Sequence, residues 1–247
     1  MNFKLLYRGP LKSGASANLL HKHFIRKQFH LQLSVLWASI PFITEIGTTH
    51  FPYQNPSTGE KEYVTRIEKL AREHTKNKFR FVPLISKELG LACSLDILFL
   101  RREEPGVIPA FGGDIDNRFK TLLDALRIPS EPTELPTGVD PQEDEDPFFC
   151  LLEDDCLLTE FSVRSDRLLL PYNFPMTPKV VLDAAGTLYQ HTLDGFQIPN
   201  RAMWDTQLLE WVDIECQKQR TEHEVYIVID VKPLIADPNL AYPGFVY

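Results

Sequence analysis

Residues 112–124 read GGDIDNRFKTLLD, and the interpretation of the whole chain starts from this stretch. Asp114 and Asp116 are two residues apart, so on an extended backbone their carboxylates point to the same side. The apolar residues after Asp116 recur with the spacing of a buried helix face. The stretch therefore predicts a helix that begins near Asp116, with Asp116, or else Asn117, as its N-cap.

A lysine and a third acid follow at helical spacing. Lys120 lies one turn beyond Asp116, and Asp124 lies one turn beyond Lys120. Two adjacent carboxylates repel each other and raise one pKa, so Asp114 and Asp116 favour a divalent cation. The alternatives are a helix cap alone for Asp116, and for Lys120 a surface ion pair worth about 0.3–0.5 kcal/mol.

A second acidic point occurs in residues 151–158, which read LLEDDCLL. The apolar flanks predict that the chain crosses the core here, where Asp154 and Asp155 are costly unless they are paired or bound to metal. Together with Asp114 and Asp116, one or both of them would complete an oxygen-rich site for a hard metal.

The composition is that of a globular protein. The chain has 247 residues, 43% of them hydrophobic, which is enough for one sizeable core and excludes a disordered chain. No run of about 18 apolar residues occurs, so no membrane span and no membrane partner are expected. The four cysteines form no C-x-x-C pair, so zinc is disfavoured and reduced thiols in a cytoplasmic protein are expected.

The charge is divided unevenly along the chain. Residues 1–102 hold 16 Lys and Arg against 7 Asp and Glu, whereas residues 103–247 hold 10 against 27. This asymmetry has two interpretations. The basic part binds a polyanion such as DNA, or it neutralises the acidic part within the folded monomer.

Hydrophobic periodicity predicts that helices and strands alternate along residues 1–247, which indicates an α/β or α+β protein. Residues 41–62 are predicted as a loop, and the acidic, proline-rich residues 129–147 as an exposed insertion. The predicted helices are 18–37, 62–75, the one after Asp116, and 204–217, and the predicted strands are 3–7, 79–85, 91–100, 157–163 and 224–231.

Several basic residues are candidates for contact with nucleic-acid phosphates. The alternative for each of them is a solvated surface, or for the last two a balance with neighbouring glutamates. They are Lys12, Lys22, Arg26, Lys27, Arg101 and Arg102.

The run D-I-D-N-x-x-K-x-x-x-D-A-L from Asp114, followed by the pair Asp154-Asp155 ahead of a strand, resembles the RusA family of Holliday junction resolvases. These are small metal-dependent endodeoxyribonucleases of phages and prophages. The resemblance covers about residues 79–170 and the strand at 224–231. The stretches at about 35–62, 129–147 and 171–222 would be large insertions in a single RusA-like mixed α/β domain over residues 1–247, with a mixed β-sheet flanked by helices.

The resemblance implies roles for individual residues. Asp114, Asp116 and Asp155 would be catalytic and hold Mg²⁺, with Mn²⁺ as a substitute and Asp154 beside them. Lys120 would assist catalysis, while Asn117 and Asp124 would support the site. It also implies a homodimer, a branched DNA substrate and a cytoplasmic protein of bacterial or phage origin.

Two functions follow from these expectations. One is a magnesium-dependent endonuclease that hydrolyses phosphodiester bonds in DNA, at branched structures such as the Holliday junctions of recombination and repair, or on flaps, single strands or RNA. The other is a non-catalytic RusA-like protein that binds a partner through its acidic insertions and tail.

Overall fold

The computed structural model describes residues 1–12, 19–54, 59–101, 115–167 and 224–237. Helices and strands alternate in them, and the strands pair both parallel and antiparallel, which confirms the mixed α+β fold class. The elements are β1 (Phe3–Pro10), α1 (Leu19–Ser39), α2 (Pro41–Thr48), β2 (His50–Gln54), β3 (Lys61–Thr65), α3 (Arg66–Glu73), β4 (Thr75–Lys76), β5 (Phe79–Ile85), β6 (Leu91–Arg101), α4 (Ile115–Leu126), β7 (Phe148–Leu152), β8 (Leu158–Arg167) and β9 (Glu224–Ile235).

The main sheet has the strand order β1-β9-β6-β8. Strand β9 is antiparallel to both β1 and β6, while β6 and β8 are parallel. Every second residue of β9 from Val225 to Val231 is buried, as its alternating sequence predicts. The predicted place of β9 in the central sheet is therefore confirmed.

A second sheet has the order β4-β5-β7, and its strands β5 and β7 are parallel. Helix α1 contacts β7 of this sheet, β1 of the main sheet, and the helices α2 and α4. All residues of α1 from 23 to 30 are buried. The predicted helix is confirmed, but it lies at the centre of the fold rather than at its surface.

Residues 41–62 are not the loop that their prolines predict. Pro41 begins α2, since its fixed φ and missing N–H suit the first turn of a helix. Strands β2 and β3 then form an antiparallel hairpin. Helix α3 follows directly, with the Thr65 hydroxyl accepting from the Glu68 backbone N–H as its N-cap.

Residues 129–147, the acidic segment, are packed and not simply an exposed insertion. Leu135 and Val139 are buried in a cluster with aromatic residues of β5 and β7. The prediction of an exposed segment considered only the repulsion between the acids and not the distant cations that pair with them. Those partners are cations from the N-terminal part, in the pairs Asp140–Lys78, Glu145–Lys27 and Asp146–Arg80.

Some expectations concern residues outside those described. They are the insertion at about 171–222, the helix 204–217 within it, and the part of the C-terminal tail beyond residue 237. None of the helices in the described residues is long and apolar enough to span a membrane.

His30 joins α1 to the acidic segment and to β7. Its Nδ1 accepts a hydrogen bond of 2.8 Å from the Phe149 backbone N–H. Its Nε2 therefore carries the proton and donates to the Asp144 carbonyl oxygen at 3.1 Å. The ring also packs on Phe148, with centroids 4.4 Å apart. Burial lowers the pKa of His30 to about 4, so its neutral form is the folded form.

We predict that His30 makes stability fall as the solution is acidified. A histidine whose pKa is lowered on folding contributes stability above its unfolded pKa of 6.5. That contribution is lost toward pH 4, by about 1.4 kcal/mol per pH unit, because the unfolded chain binds the proton first. Urea unfolding between pH 7.5 and 5 should therefore show a smaller loss of stability in His30→Asn than in wild type. The same pH slope in both proteins would contradict the prediction.

Candidate functional site

The first turn of α4 carries two exposed polar residues of the motif. Asp116 is exposed, and its Oδ1 accepts from the Asn117 backbone N–H at 2.9 Å. The helix begins at Ile115, so Asp116 lies in the first turn and is not the N-cap. A carboxylate there still interacts favourably with the helix dipole. Asp114 lies outside the described residues.

Lys120 lies one turn further along the same side of α4 and is also exposed. No hydrogen bond or ion pair joins it to Asp116, to Asp124 or to any other side chain in the described part of the chain. The nearby Phe119 packs edge to face against Phe99 of β6 and Phe161 of β8, at centroid distances of 5.5 and 6.1 Å. These ring contacts fix the start of the helix against the main sheet.

Asp124, the last acid of the motif, has a structural environment. Its side chain is only 12% exposed and accepts from Lys22 Nζ at 2.6 Å. Arg127 Nη2 contacts its other oxygen at 3.2 Å, and Arg26 Nη2 donates to its backbone carbonyl at 3.0 Å. Asp124 therefore binds α4 to α1 through two cations of α1, Lys22 and Arg26, while Arg127 holds its carboxylate from the end of α4.

Asp155 lies in the short 3₁₀ turn Asp155–Leu157 between β7 and β8. Its side chain is 55% exposed. Leu151, Leu152 and Leu157 beside the acids are buried, but the acids themselves do not lie in the core, which corrects the prediction. Arg127 Nε lies 3.4 Å from Asp155 Oδ2. Partial burial raises the pKa of Asp155, Arg127 opposes this rise, and the charges of Asp124, Asp154 and Glu134 add to it.

Asp154 has a separate local role. It is the N-cap of the same turn, with Oδ1 accepting from the Cys156 backbone N–H at 2.9 Å. This hydrogen bond lowers the pKa of Asp154. The carboxylate is exposed, but one of its oxygens is already engaged in the turn.

The acids fit Mg²⁺ in their donor chemistry, because carboxylate oxygens are the ligands that hard divalent cations prefer. The pKa of Asp155 is raised because burial and neighbouring acids disfavour its ionised form, and a bound cation would favour that form. Within the described residues no three His, Cys, Asp or Glu side chains are grouped to hold a metal. Asp116, Asp154 and Asp155 are therefore not grouped as a metal site, and Asp114, the remaining predicted ligand, lies outside the described residues.

The predicted phosphate-binding face of α1 is corrected by the structure. Arg26 and Lys27 are buried, with Lys27 Nζ 2.7 Å from Glu145 Oε1 and both side chains at most 3% exposed. Lys22 is engaged by Asp124. These cations were assigned to a surface because the sequence does not show that α1 is enclosed on all sides.

The other basic candidates lie elsewhere. Lys12 follows β1 and donates its backbone N–H to His21 Nε2 at 3.1 Å. Arg101 is buried at the end of β6, and Arg102 lies outside the described residues. Sequence reasoning missed Arg127, although its spacing of three residues from Asp124 on a helix is the available signal.

Ion pairs across the chain support internal neutralisation. Cations of residues 1–102 pair with acids of residues 103–247 at several separate places. The pairs are Lys4–Asp230, Lys22–Asp124, Lys27–Glu145, Lys78–Asp140 and Arg80–Asp146. The uneven charge along the sequence is therefore no independent argument for a polyanion partner.

We predict that Lys27→Met destabilises the protein, because it leaves the Glu145 carboxylate buried without its cation. The free energy of unfolding should fall by about 3 kcal/mol in urea denaturation. Lys78→Met removes a pair with the same acidic segment whose side chains are 69% and 62% exposed, and should cost less than about 1 kcal/mol. Equal effects of the two substitutions would contradict the assignment.

A second prediction separates the acids of α4. Asp124→Asn leaves Lys22 without its carboxylate and removes one of the carboxylates that contact Arg127, so the free energy of unfolding should fall by about 2 kcal/mol. Asp116→Asn on the exposed face should change it by no more than about 0.5 kcal/mol. Urea denaturation of both variants tests this, and a larger loss in Asp116→Asn would reverse the two roles.

Comparison of the chain with protein-family models finds no match. Curated proteins and solved structures likewise give no match. The resemblance to RusA nucleases stays a prediction that rests on the order of residues in the motif.

Proposed function

We propose that the chain is a magnesium-dependent endonuclease that hydrolyses DNA phosphodiester bonds at branched structures such as Holliday junctions. The observation that carries the proposal is the division of charges on α4. Asp124 and Arg127 neutralise each other and their neighbours inside the fold. Asp116 and Lys120 are exposed on the same helix, one turn apart.

This division matters because exposed charges that form no ion pair within the described residues are available to a substrate. The core residue Phe119 holds this end of the helix on the sheet, so the two side chains project from a rigid element. Rigid placement of polar groups is what catalysis of phosphoryl transfer requires. The RusA-like motif assigns the same two positions to the catalytic site.

In the proposed site Asp114, Asp116 and Asp155 hold Mg²⁺, for which Mn²⁺ can substitute, and Asp154 lies beside them. The bound metal supplies an activated water and neutralises charge on the phosphate. Lys120 places its ammonium group against the negative charge that develops on the scissile phosphate.

The supporting roles fall to other residues. Arg127 orients Asp155 through its contact at 3.4 Å, and Asp124 holds Arg127 in turn. Asn117 contributes an exposed amide beside Asp116. The homodimer and the bacterial or phage cytoplasm belong to the same proposal, since they follow from the family resemblance.

The alternative, a binding protein that acts through its acids, is less well supported. Its argument depended on free negative charge in the acidic segment. Asp140, Glu145 and Asp146 are paired with lysine or arginine residues of the N-terminal part. These acids already have a role inside the monomer.

We predict that the protein cleaves a labelled four-way DNA junction in Mg²⁺ and not in EDTA. Asp116→Asn should reduce the cleavage rate at least about 100-fold, because it removes a metal ligand, whereas loss of an outer contact typically costs 10–100-fold. Asp140→Asn, a matched exposed acid of the acidic segment, should cleave like wild type.

Two outcomes decide against the proposal. Equal cleavage by Asp116→Asn and wild type would remove the metal site. If wild type binds the junction without cleaving it in Mg²⁺ or Mn²⁺, the binding protein is favoured. Calorimetric titration with Mg²⁺ completes the test, because binding should disappear in Asp155→Asn.

A further inference from the structure

The β2–β3 hairpin presents two chemically different faces. Its register pairs Pro52 with Tyr63 and Gln54 with Lys61. Because side chains alternate along a strand, these residues share one face of the ribbon with His50. We call this set of five residues the outward face.

The opposite face holds the hairpin in place on α3. The Arg66 guanidinium lies over the Phe51 ring, 4.0 Å from its centroid. Arg72 lies 5.3 Å from the centroid of Tyr53 and forms an ion pair with Glu62. Two cation–π contacts and an ion pair thus fix the ribbon to its helix.

All residues of the outward face are exposed. Tyr63 is 76% exposed, the largest exposure among the large hydrophobic side chains of the described residues. The hairpin's strand carboxylate, Glu62, belongs to the anchored face, so the outward face carries only neutral and basic groups. The one fixed charge on this face is the ammonium group of Lys61, so the face suits an anionic partner although the chain as a whole has a net charge of −8.

The groups on this face match the requirements of a nucleic-acid strand. An exposed aromatic ring offers a stacking platform for a base, independent of base identity. Lys61 offers an ammonium group for a phosphate, and Gln54 and His50 offer hydrogen-bonding groups beside it. A purely apolar protein partner would leave these polar groups unpaired.

We infer that the outward face of the β2–β3 hairpin docks on a DNA strand that exposes an unstacked base, with Tyr63 stacking on the base and Lys61 contacting the phosphate. The choice of DNA rests on the proposed function. The hairpin is separate in the chain from the acids of the proposed metal site. Docking and cleavage can therefore be tested apart.

The experiment measures binding without metal. Fluorescence anisotropy in EDTA gives the dissociation constant of the full-length protein for a labelled single strand, a forked DNA and a blunt duplex. Wild type should bind the single strand and the fork more tightly than the duplex. Tyr63→Ala should weaken binding to the first two about tenfold, and Tyr63→Phe, which keeps the ring, should retain it.

Lys61→Ala should make the negative slope of log affinity against log salt concentration shallower by about 0.7, because one phosphate contact is lost. Lys232→Ala is the matched control, because Lys232 is an exposed lysine on β9 outside the hairpin. It should leave both the affinity and the slope as in wild type. The thermal unfolding midpoint of every variant should equal that of wild type, because all the substituted positions are exposed.

The possible results separate the two proposals. Unchanged affinity in Tyr63→Ala, or no DNA binding by wild type, overturns the docking inference. Weakened binding in Tyr63→Ala together with no cleavage by wild type leaves the docking inference standing and overturns the nuclease. An equal loss of affinity in Lys61→Ala and Lys232→Ala would show diffuse attraction and would also overturn docking at the hairpin.

Discussion

The structure depends on the ion pair between Lys27 and Glu145, which is enclosed at the centre of the fold. Burying a lysine is costly unless a carboxylate is held against it, and the acidic segment supplies that carboxylate. Burial raises the pKa of Glu145, and the neighbouring ammonium group of Lys27 opposes this rise. The same helix uses His30 to bind both ends of residues 144–149, which fixes the segment's path into β7.

This constraint accounts for the uneven charge of the sequence. Helix α1 is buried on all sides from residue 23 to 30, yet it carries Arg26 and Lys27 within that span. Lys27 is compensated by Glu145 in the acidic segment, and Arg26 donates to the backbone carbonyl of Asp124 on α4. Within the described residues, cations of the N-terminal part and acids of the C-terminal part thus neutralise each other in several separate ion pairs.

Strong local patterns predicted their elements well. Strands β5 and β6 and helix α1 were predicted to within two residues, and α4 begins one residue from its predicted start, because apolar periodicity and burial agree there. Strand β9 begins as predicted but continues beyond the predicted end at residue 231, to Ile235. The β2–β3 hairpin was not predicted, and its second strand, Lys61–Thr65, occupies the start of the predicted helix 62–75. Phe51 and Tyr53 of β2 contact guanidinium groups of α3, and the order of residues along the chain does not show these contacts. The prediction of an exposed insertion for the acidic segment is incomplete for a similar reason, because ion pairs with distant cations outweigh the local repulsion between its acids.

The candidate site was predictable in kind but not in detail. The motif identified Asp116, Lys120 and Asp124 as one group, whereas the fold separates them by exposure. Residues one and two turns apart on a helix face the same neighbourhood, but α1 covers only the end of α4 that holds Asp124. No pattern within the motif distinguishes an acid that meets α1 from one that meets water.

Within the proposed metal site, the surroundings of the two acids after β7 favour Asp155 over Asp154 as the ligand. Asp154 uses Oδ1 to cap the turn, and this hydrogen bond lowers its pKa, so its charge is already stabilised locally. Asp155 has its pKa raised among neighbouring acids, and Arg127 contacts only Oδ2. The guanidinium of Arg127 orients the exposed Asp155 carboxylate by holding one of its oxygens. The other oxygen has no partner in the described residues, so it can coordinate a cation. Asp154 then fixes the turn from which Asp155 acts.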